Sequence, residues 1–442
     1  MSLESTHMDS AQHYDLLIAG GRIVTMDAER RIIDDGALAI SGNKIQGIFS
    51  AGELPSNCRA RKTIKADGKV IIPGLINAHS HIAMTLFRGF VEDLVLHRWL
   101  ERVWQYELTQ LNEDSVRAGS KLAFAEMIHS GVTCVHDMYW HYMAVIDLAE
   151  EIGCRLISGP SVTSIGDPDF DEMFNAARSA LERIKIYHFV QPIIQAHSTY
   201  TTTPAMMHKV RELKQEYGVS FTTHAAENQA EVDDVREQYG KTPIELLHSY
   251  NLLDTRTILA HCVKLQDHEI ALLSESGTHV AHCPESNLKL GSGIARIAEL
   301  IEAGVNVCIG TDGAASNNDL DLLGEIRTAA LLQKGYYENP EVLTTMQAME
   351  MATINGAKAY GLDRILGSLE PGKRADIVII DFDKSHLTPC HDVYAHLVYS
   401  VNKADVDTVL IDGKIHLEHG NLTTLDEGAI KAEVRAIGEQ FK

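Results

Sequence analysis

The sequence predicts an α/β protein: a (β/α)8 TIM-like barrel with a small β-sandwich formed by both chain termini. Three observations predict it. Eight short apolar runs alternate with helical stretches through the middle of the chain, β-branched alternation broken by turn residues occupies both ends, and 442 residues exceed what one ordinary compact core holds.

At the N-terminal end, residues 15–19, 21–26, 36–41 and 44–49 alternate apolar and polar side chains, and Gly20-Gly21 and Gly42-Asn43 separate them as turns, which reads as an antiparallel meander. The same texture returns in 375–381 and 406–414, where Asp412-Gly413 is a strong hairpin signal. The two ends are expected to build one sheet domain from residues 1–72 and 366–442, with the barrel over 73–365.

The eight runs are 70–78, 132–138, 155–159, 190–196, 219–223, 257–260, 278–281 and 305–309. Helical spacing separates them. In 114–130, Val116, Leu122, Ala123, Met127 and Ile128 fall near one face, and Gly131 follows as a stop. In a barrel of eight such units the active site lies at the C-terminal ends of the strands.

Composition narrows the function classes. Acids outnumber bases 61 to 39, a formal charge of −22, which disfavours nucleic acid because phosphate binding needs a basic surface. No run approaches the roughly 18 apolar residues that cross a bilayer. Met1 to Ser10 is polar and does not read as a secretory signal, so a cytoplasmic location is the default expectation. The seven cysteines are scattered without a C-x-x-C pair and are expected to be free thiols.

Chemistry gathers at strand ends. The first run closes in His79-Ser80-His81 after Pro73-Gly74, and residues two apart on a strand face the same way, so both imidazoles can reach one ion. The fifth run ends in His224 with Glu227 three residues on, which requires the chain to turn at Ala225-Ala226 for both to share a site. The sixth ends in His261, and the eighth in Asp312 followed by Gly313, where a small residue permits close backbone approach. Imidazoles with a carboxylate suit Zn²⁺ or Fe²⁺ better than the all-oxygen cations, and three histidines with one aspartate make an open, catalytic set.

The segments 73–81, 223–227, 259–262, 282–290 and 310–319 resemble the amidohydrolase superfamily, in its branch of 5′-methylthioadenosine/S-adenosylhomocysteine deaminases and chlorohydrolase-like enzymes, and the resemblance covers essentially the whole chain. It implies one divalent metal, zinc with iron as the alternative, held by His79, His81, His224 and Asp312, with Glu227 and His261 as unliganded catalytic groups. A two-metal branch carries a lysine at the end of the fourth strand, and 193–197 has none. The implied reaction is hydrolytic deamination of an adenosine-type nucleoside, with Asp312 taking the water proton through an unengaged second oxygen, Glu227 protonating the ring nitrogen and His261 holding the oxyanion.

For the substrate, the resemblance assigns Glu107 to the ribose hydroxyls and His197 to a substrate contact, with Trp99 beside them; the bland alternative puts Glu107 on a solvated helix face and His197 in a structural role. His282, Asn287 and Asn317 receive no role. A small-molecule nucleoside is the expected partner, and family members often self-associate, which allows a homo-oligomer. The rival on the same site is a free base (guanine, pterin, cytosine-like) or a triazine, since neither needs a ribose anchor at Glu107. A catalytically silent scaffold would be expected to lose ligands, and all six positions are intact.

Overall fold

The computed structural model describes residues 13–441; the polar N-terminal stretch Met1 to Ser10 lies outside them. Eight parallel strands line up in the order Leu75–Asn77, Val132–His136, Arg155–Ser158, Val190–Ser198, Ser220–Ala225, Thr257–His261, His279–His282 and Val307–Ile309, each hydrogen-bonded to the next. The seam between last and first is bridged where the Ala78 amide donates to the Ile309 carbonyl at 2.9 Å. Ile76, Cys134, Ile157, Ile193, Ile258, Ala281 and Cys308, from seven of the strands, fill one interior cluster with Tyr360. Such a barrel is packed, so its chemistry must sit at an end.

Helices wrap the outside and start where sequence signals place them. Glu113–His129 begins at Asn112, whose side chain accepts from the Ser115 amide while Ser115 answers to the Asn112 amide, and it ends before Gly131 at φ 83°.

Strands from both ends join in one nine-stranded sheet, and the junction is the antiparallel pairing of Lys69–Pro73 with Ile377–Asp381. Period-two alternation sorts its side chains. Ile71, Ile377 and Ile379 enter the sheet's own apolar cluster with Ile18, Leu38 and Leu410, whereas Val70, Ile72, Val378 and Ile380 turn to the barrel side and join its large core.

Three expectations about these ends change. The run 70–78 is two strands: Lys69–Pro73 belongs to the terminal sheet and only Leu75–Asn77 to the barrel. Gly20-Gly21 is no turn; His13–Val24 runs through it as one strand, with register irregularity between Ala19 and Gly21 and Gly20 at φ 90°. Arg59–Lys65 is a further strand, and it pairs parallel to His13–Val24, so the N-terminal part is mixed instead of a pure meander. Its sequence, rich in Arg and Lys, carries no apolar alternation to find.

Arg155 anchors sheet to barrel. Its guanidinium makes two bonds to Asp376 at 3.0 and 2.9 Å and a third to Asp412 at 3.1 Å, all three side chains being buried. The seven cysteines are free thiols.

Candidate active site

The backbone draws the H-x-H segment and the eighth-strand aspartate together. Ser80–His81 pairs in parallel with Asp312–Gly313 just beyond the ends of the first and eighth barrel strands. A Cβ on Gly310 would lie 2.6 Å from the His79 amide nitrogen, so only glycine permits this approach. Gly313 serves the same end, packing against Met84 and His81.

Four residues at the rim adopt left-handed backbone without being glycine: Ala226 at φ 52°, His261 at 71°, Cys262 at 49° and Asp312 at 60°. That region is uncommon for residues with a side chain, and such strain concentrates at functional sites. Each turn aims a strand-end side chain across the barrel mouth. The kink at Ala226 is the one the sequence requires for His224 and Glu227 to meet, and Glu227 lines the same pocket as His224, His261 and Asp312.

Ligand atoms of His79, His81, His224 and Asp312 all lie within 4.8 Å of one another. Nε2 of His224 is 3.1 Å from that of His79 and 3.2 Å from that of His81, and Oδ1 of Asp312 is 3.1 Å from His81 and 3.5 Å from His79. These residues fit a divalent cation. Nδ1–H of His81 donates to the Met138 carbonyl and Nδ1–H of His224 to the His197 carbonyl at 2.6 Å, so the Nε2 lone pairs of both rings face one shared point, where they repel unless positive charge sits between them. Burial lowers the proton affinity of His79 to about 4 and that of His224 well below the usual histidine value. Burial depresses His81 as well, but the Asp312 carboxylate outweighs it and draws its affinity up. One carboxylate among three imidazoles therefore holds a cation, proton or metal.

The second carboxylate oxygen of Asp312 is engaged, contrary to expectation: Ser286 donates to Oδ2 at 2.6 Å and Ser316 at 2.8 Å. Both serines were unassigned by sequence reasoning, although they lie inside the motifs 282–290 and 310–319. A serine carries no signal of its own there. Asn287, also left without a role, holds Nδ1 of His261 at 2.9 Å, which leaves Nε2 3.8 Å from Oε2 of Glu227. Glu227 is buried, and burial raises its proton affinity, only partly offset by His261. Its amide donates to Glu231 at 2.7 Å. Asn317 instead braces the loop, donating to the Thr311 carbonyl at 2.8 Å, and His282 is buried with both ring nitrogens unpartnered among the described residues.

Above this floor opens a pocket walled on one side by the helix Leu96–Gln110. Glu107 sits on that helix, is 5% exposed, and faces the pocket, so the solvated-surface alternative does not hold. Tyr139 donates to its Oε1 at 2.6 Å and the Trp140 indole to Oε2 at 2.8 Å. Tyr139 and Trp140 follow the second barrel strand, another strand-end signal the sequence reading passed over. Trp99 lines the same wall, and its indole nitrogen is buried without a partner among the described residues. His197 also faces the pocket, with Nδ1 bonded to Thr201 at 2.8 Å, while its carbonyl orients His224. Burial lowers its proton affinity to about 3, so the ring is neutral. Eight of the nine sequence-predicted residues thus line one cavity, and His79 joins them through the donor cluster.

Comparison with known proteins agrees with this geometry. Residues 70–416 match the amidohydrolase family. A 5-methylthioadenosine/S-adenosylhomocysteine deaminase of Moorella thermoacetica is 42% identical over 409 residues, covering 91% of this chain and 94% of that protein. A 5′-deoxyadenosine deaminase of Methanothermobacter thermautotrophicus is 40% identical over 421 residues, covering 93% and 95%. The crystal structure of an adenosine deaminase from Xanthomonas campestris with bound zinc superposes with a TM-score of 0.95 at 33% identity, over 97% of this chain and 99% of that one.

Proposed function

Because this chain belongs to the amidohydrolase family, we propose that it is a metal-dependent hydrolytic deaminase of adenosine-type nucleosides, acting through the barrel unit 73–365 and releasing ammonia and the inosine analogue. The observation that carries the reading is a single cavity lined both by members of a metal-binding donor set and by the buried carboxylate of Glu107. Free bases and triazines offer no diol for that second carboxylate to accept.

A divalent ion held by His79, His81, His224 and Asp312, zinc by the chemistry of the donors with iron as the alternative, supplies Lewis acidity and lowers the pKa of water toward about 7. The chain's own residues do the rest. Glu227, with its raised proton affinity, gives a proton to the ring nitrogen beside the amino-bearing carbon, making that carbon a better electrophile, and takes a proton back from the hydroxyl on that carbon as ammonia leaves. His261, oriented by Asn287, hydrogen-bonds the incoming oxygen. Asp312, clamped through Oδ2 by the two serines, presents Oδ1 as the acceptor for the proton of water and passes that proton to the departing amine, which leaves as ammonia. The overall change is addition of oxygen at carbon and loss of nitrogen as ammonia.

Glu107 accepts hydrogen bonds from the two ribose hydroxyls, while His197 and Trp99 bound the sugar and ring. Among the described residues no helix is long and apolar enough to cross a membrane. The charge of −22 supports a small-molecule substrate over nucleic acid, and a cytoplasmic setting belongs to the same reading. The test is ammonia release by the purified, metal-analysed protein. Adenosine, methylthioadenosine and 5′-deoxyadenosine should react; turnover confined to guanine, pterins or triazines would overturn the nucleoside assignment.

A further inference from the structure

Resting on that deaminase reading, we infer that the pocket selects nucleosides whose 5′ group carries no negative charge, such as methylthio or the bare 5′-deoxy carbon, over those bearing a carboxylate or phosphate there.

The wall around the pocket is apolar and aromatic, built by Leu96, Trp99, Leu100, Trp104 and Leu290. Its further polar groups include the neutral hydroxyls of Ser161 and Thr163 and the acids Glu107, Glu227 and Asp312. None of the lining residues is a lysine or arginine. The adjoining groove, which shares Leu96, Leu100, Trp104 and Tyr200 with the pocket, adds His97, Asn228 and the acids Glu101, Glu231 and Asp234, and none of its lining residues is a lysine or arginine.

Arg98 and Arg102, on the wall helix, are exposed and do not line the pocket, and two further basic residues near the wall are engaged in ion pairs. Lys289, next to Leu290, binds Glu92 at 2.9 Å and the Ala315 carbonyl at 3.1 Å, and Arg88 forms an ion pair with Glu126. A carboxylate or phosphate on the 5′ end would enter a partly desolvated cavity beside like charges, with no lysine or arginine among the lining residues to pair it. The whole chain's charge of −22 opposes such anions on approach as well. A methylthio group meets the opposite situation, because its thioether packs favourably on aromatic faces such as Trp99 and Trp104.

The experiment compares kcat/KM on the zinc-loaded full chain for 5′-methylthioadenosine, 5′-deoxyadenosine, S-adenosylhomocysteine, adenosine 5′-monophosphate, and the 3-aminopropylthio analogue, which has the reach of the homocysteine tail without its carboxylate. Methylthioadenosine should exceed adenosylhomocysteine by about tenfold or more, the aminopropyl analogue should recover most of that loss, and the monophosphate should be turned over least. Adenosylhomocysteine reacting as efficiently as methylthioadenosine overturns the inference, as does an aminopropyl analogue no better than adenosylhomocysteine, which would put the discrimination down to length. If every nucleoside is inert while guanine or a pterin releases ammonia, it is the underlying deaminase reading that fails, and the inference goes with it.

Discussion

Ser286 donates its hydroxyl to Oδ2 of Asp312 at 2.6 Å, and this bond, with the one from Ser316, turns Oδ1 toward His79 and His81. Groups that orient a ligand in this way typically contribute 10- to 100-fold, as a rough scale, to metal affinity or activity. The Ser286→Ala/Ser316→Ala double variant should therefore release zinc to a competing chelator about 10- to 100-fold more readily. Unchanged affinity would mean that Asp312 needs no clamp.

Removing the metal should abolish turnover, and zinc or iron should restore it. Glu227 acts apart from the metal, so Glu227→Gln should keep its ion by elemental analysis and yet lose about 10²- to 10⁴-fold in kcat. Chelator-treated protein that works at full rate, or a fully active Glu227→Gln, would contradict the roles assigned.

Glu107 has Tyr139 and Trp140 on its two oxygens and is buried at the pocket wall. Replacing it with glutamine keeps the shape and removes the charge that strengthens bonds to ribose hydroxyls. Bonds to charged groups exceed neutral ones by about 1 kcal/mol or more, so KM for adenosine should rise about tenfold with metal content unchanged. A KM like that of the wild type would remove Glu107 from the substrate site.

Arg155 and Asp376 are both buried, and Asp376→Ala leaves a guanidinium without its two-point partner. Breaking a buried pair costs about 3–5 kcal/mol of stability, whereas replacing both with apolar residues of similar volume is often close to neutral. Denaturant unfolding of Asp376→Ala and of Arg155→Met/Asp376→Leu should show a large loss in the first and a much smaller one in the second.

His416, remote from the pocket, is held neutral by burial, which lowers its proton affinity to about 4. An unfolded chain takes up that proton near pH 6.5, so below this value the unfolded state binds more protons and is favoured. Stability from this group is complete above about pH 6.5 and is lost as pH falls toward 4. Calorimetry should find that His416→Gln, which still offers a partner to Thr424, flattens the decline of Tm between pH 6.5 and 4. An identical pH profile in both proteins would show that another group governs acid unfolding.

Much of this architecture was legible in advance because it is local. Apolar runs at regular spacing announce parallel strands between helices, and histidine or aspartate at the end of such runs announces a rim that binds something. The pairs His79/His81 and His224/Glu227, together with His261 and Asp312, needed only strand periodicity and a turn at Ala226 to be read as one site. Periodicity could not divide 70–78 between two sheets, because Val70 and Ile72 are as apolar as Leu75 and Ile76 and burial looks the same in either. Nor could it find the basic strand Arg59–Lys65, whose place is decided by hydrogen bonds to His13–Val24 and not by its side chains.

The amino-acid order by itself determined the kinds of element, the chemical identity of the metal donors and their station at strand ends. Only the tertiary structure decided that Ser286 and Ser316 grip Asp312, that Asn287 steadies His261, that Glu107 faces inward between Tyr139 and Trp140, and that among the described residues no lysine or arginine lines the pocket. The division follows from range: a repeat of two or 3.6 residues records what one segment does with its own neighbours, while a bond between residues far apart in the chain exists only once the barrel has closed around it.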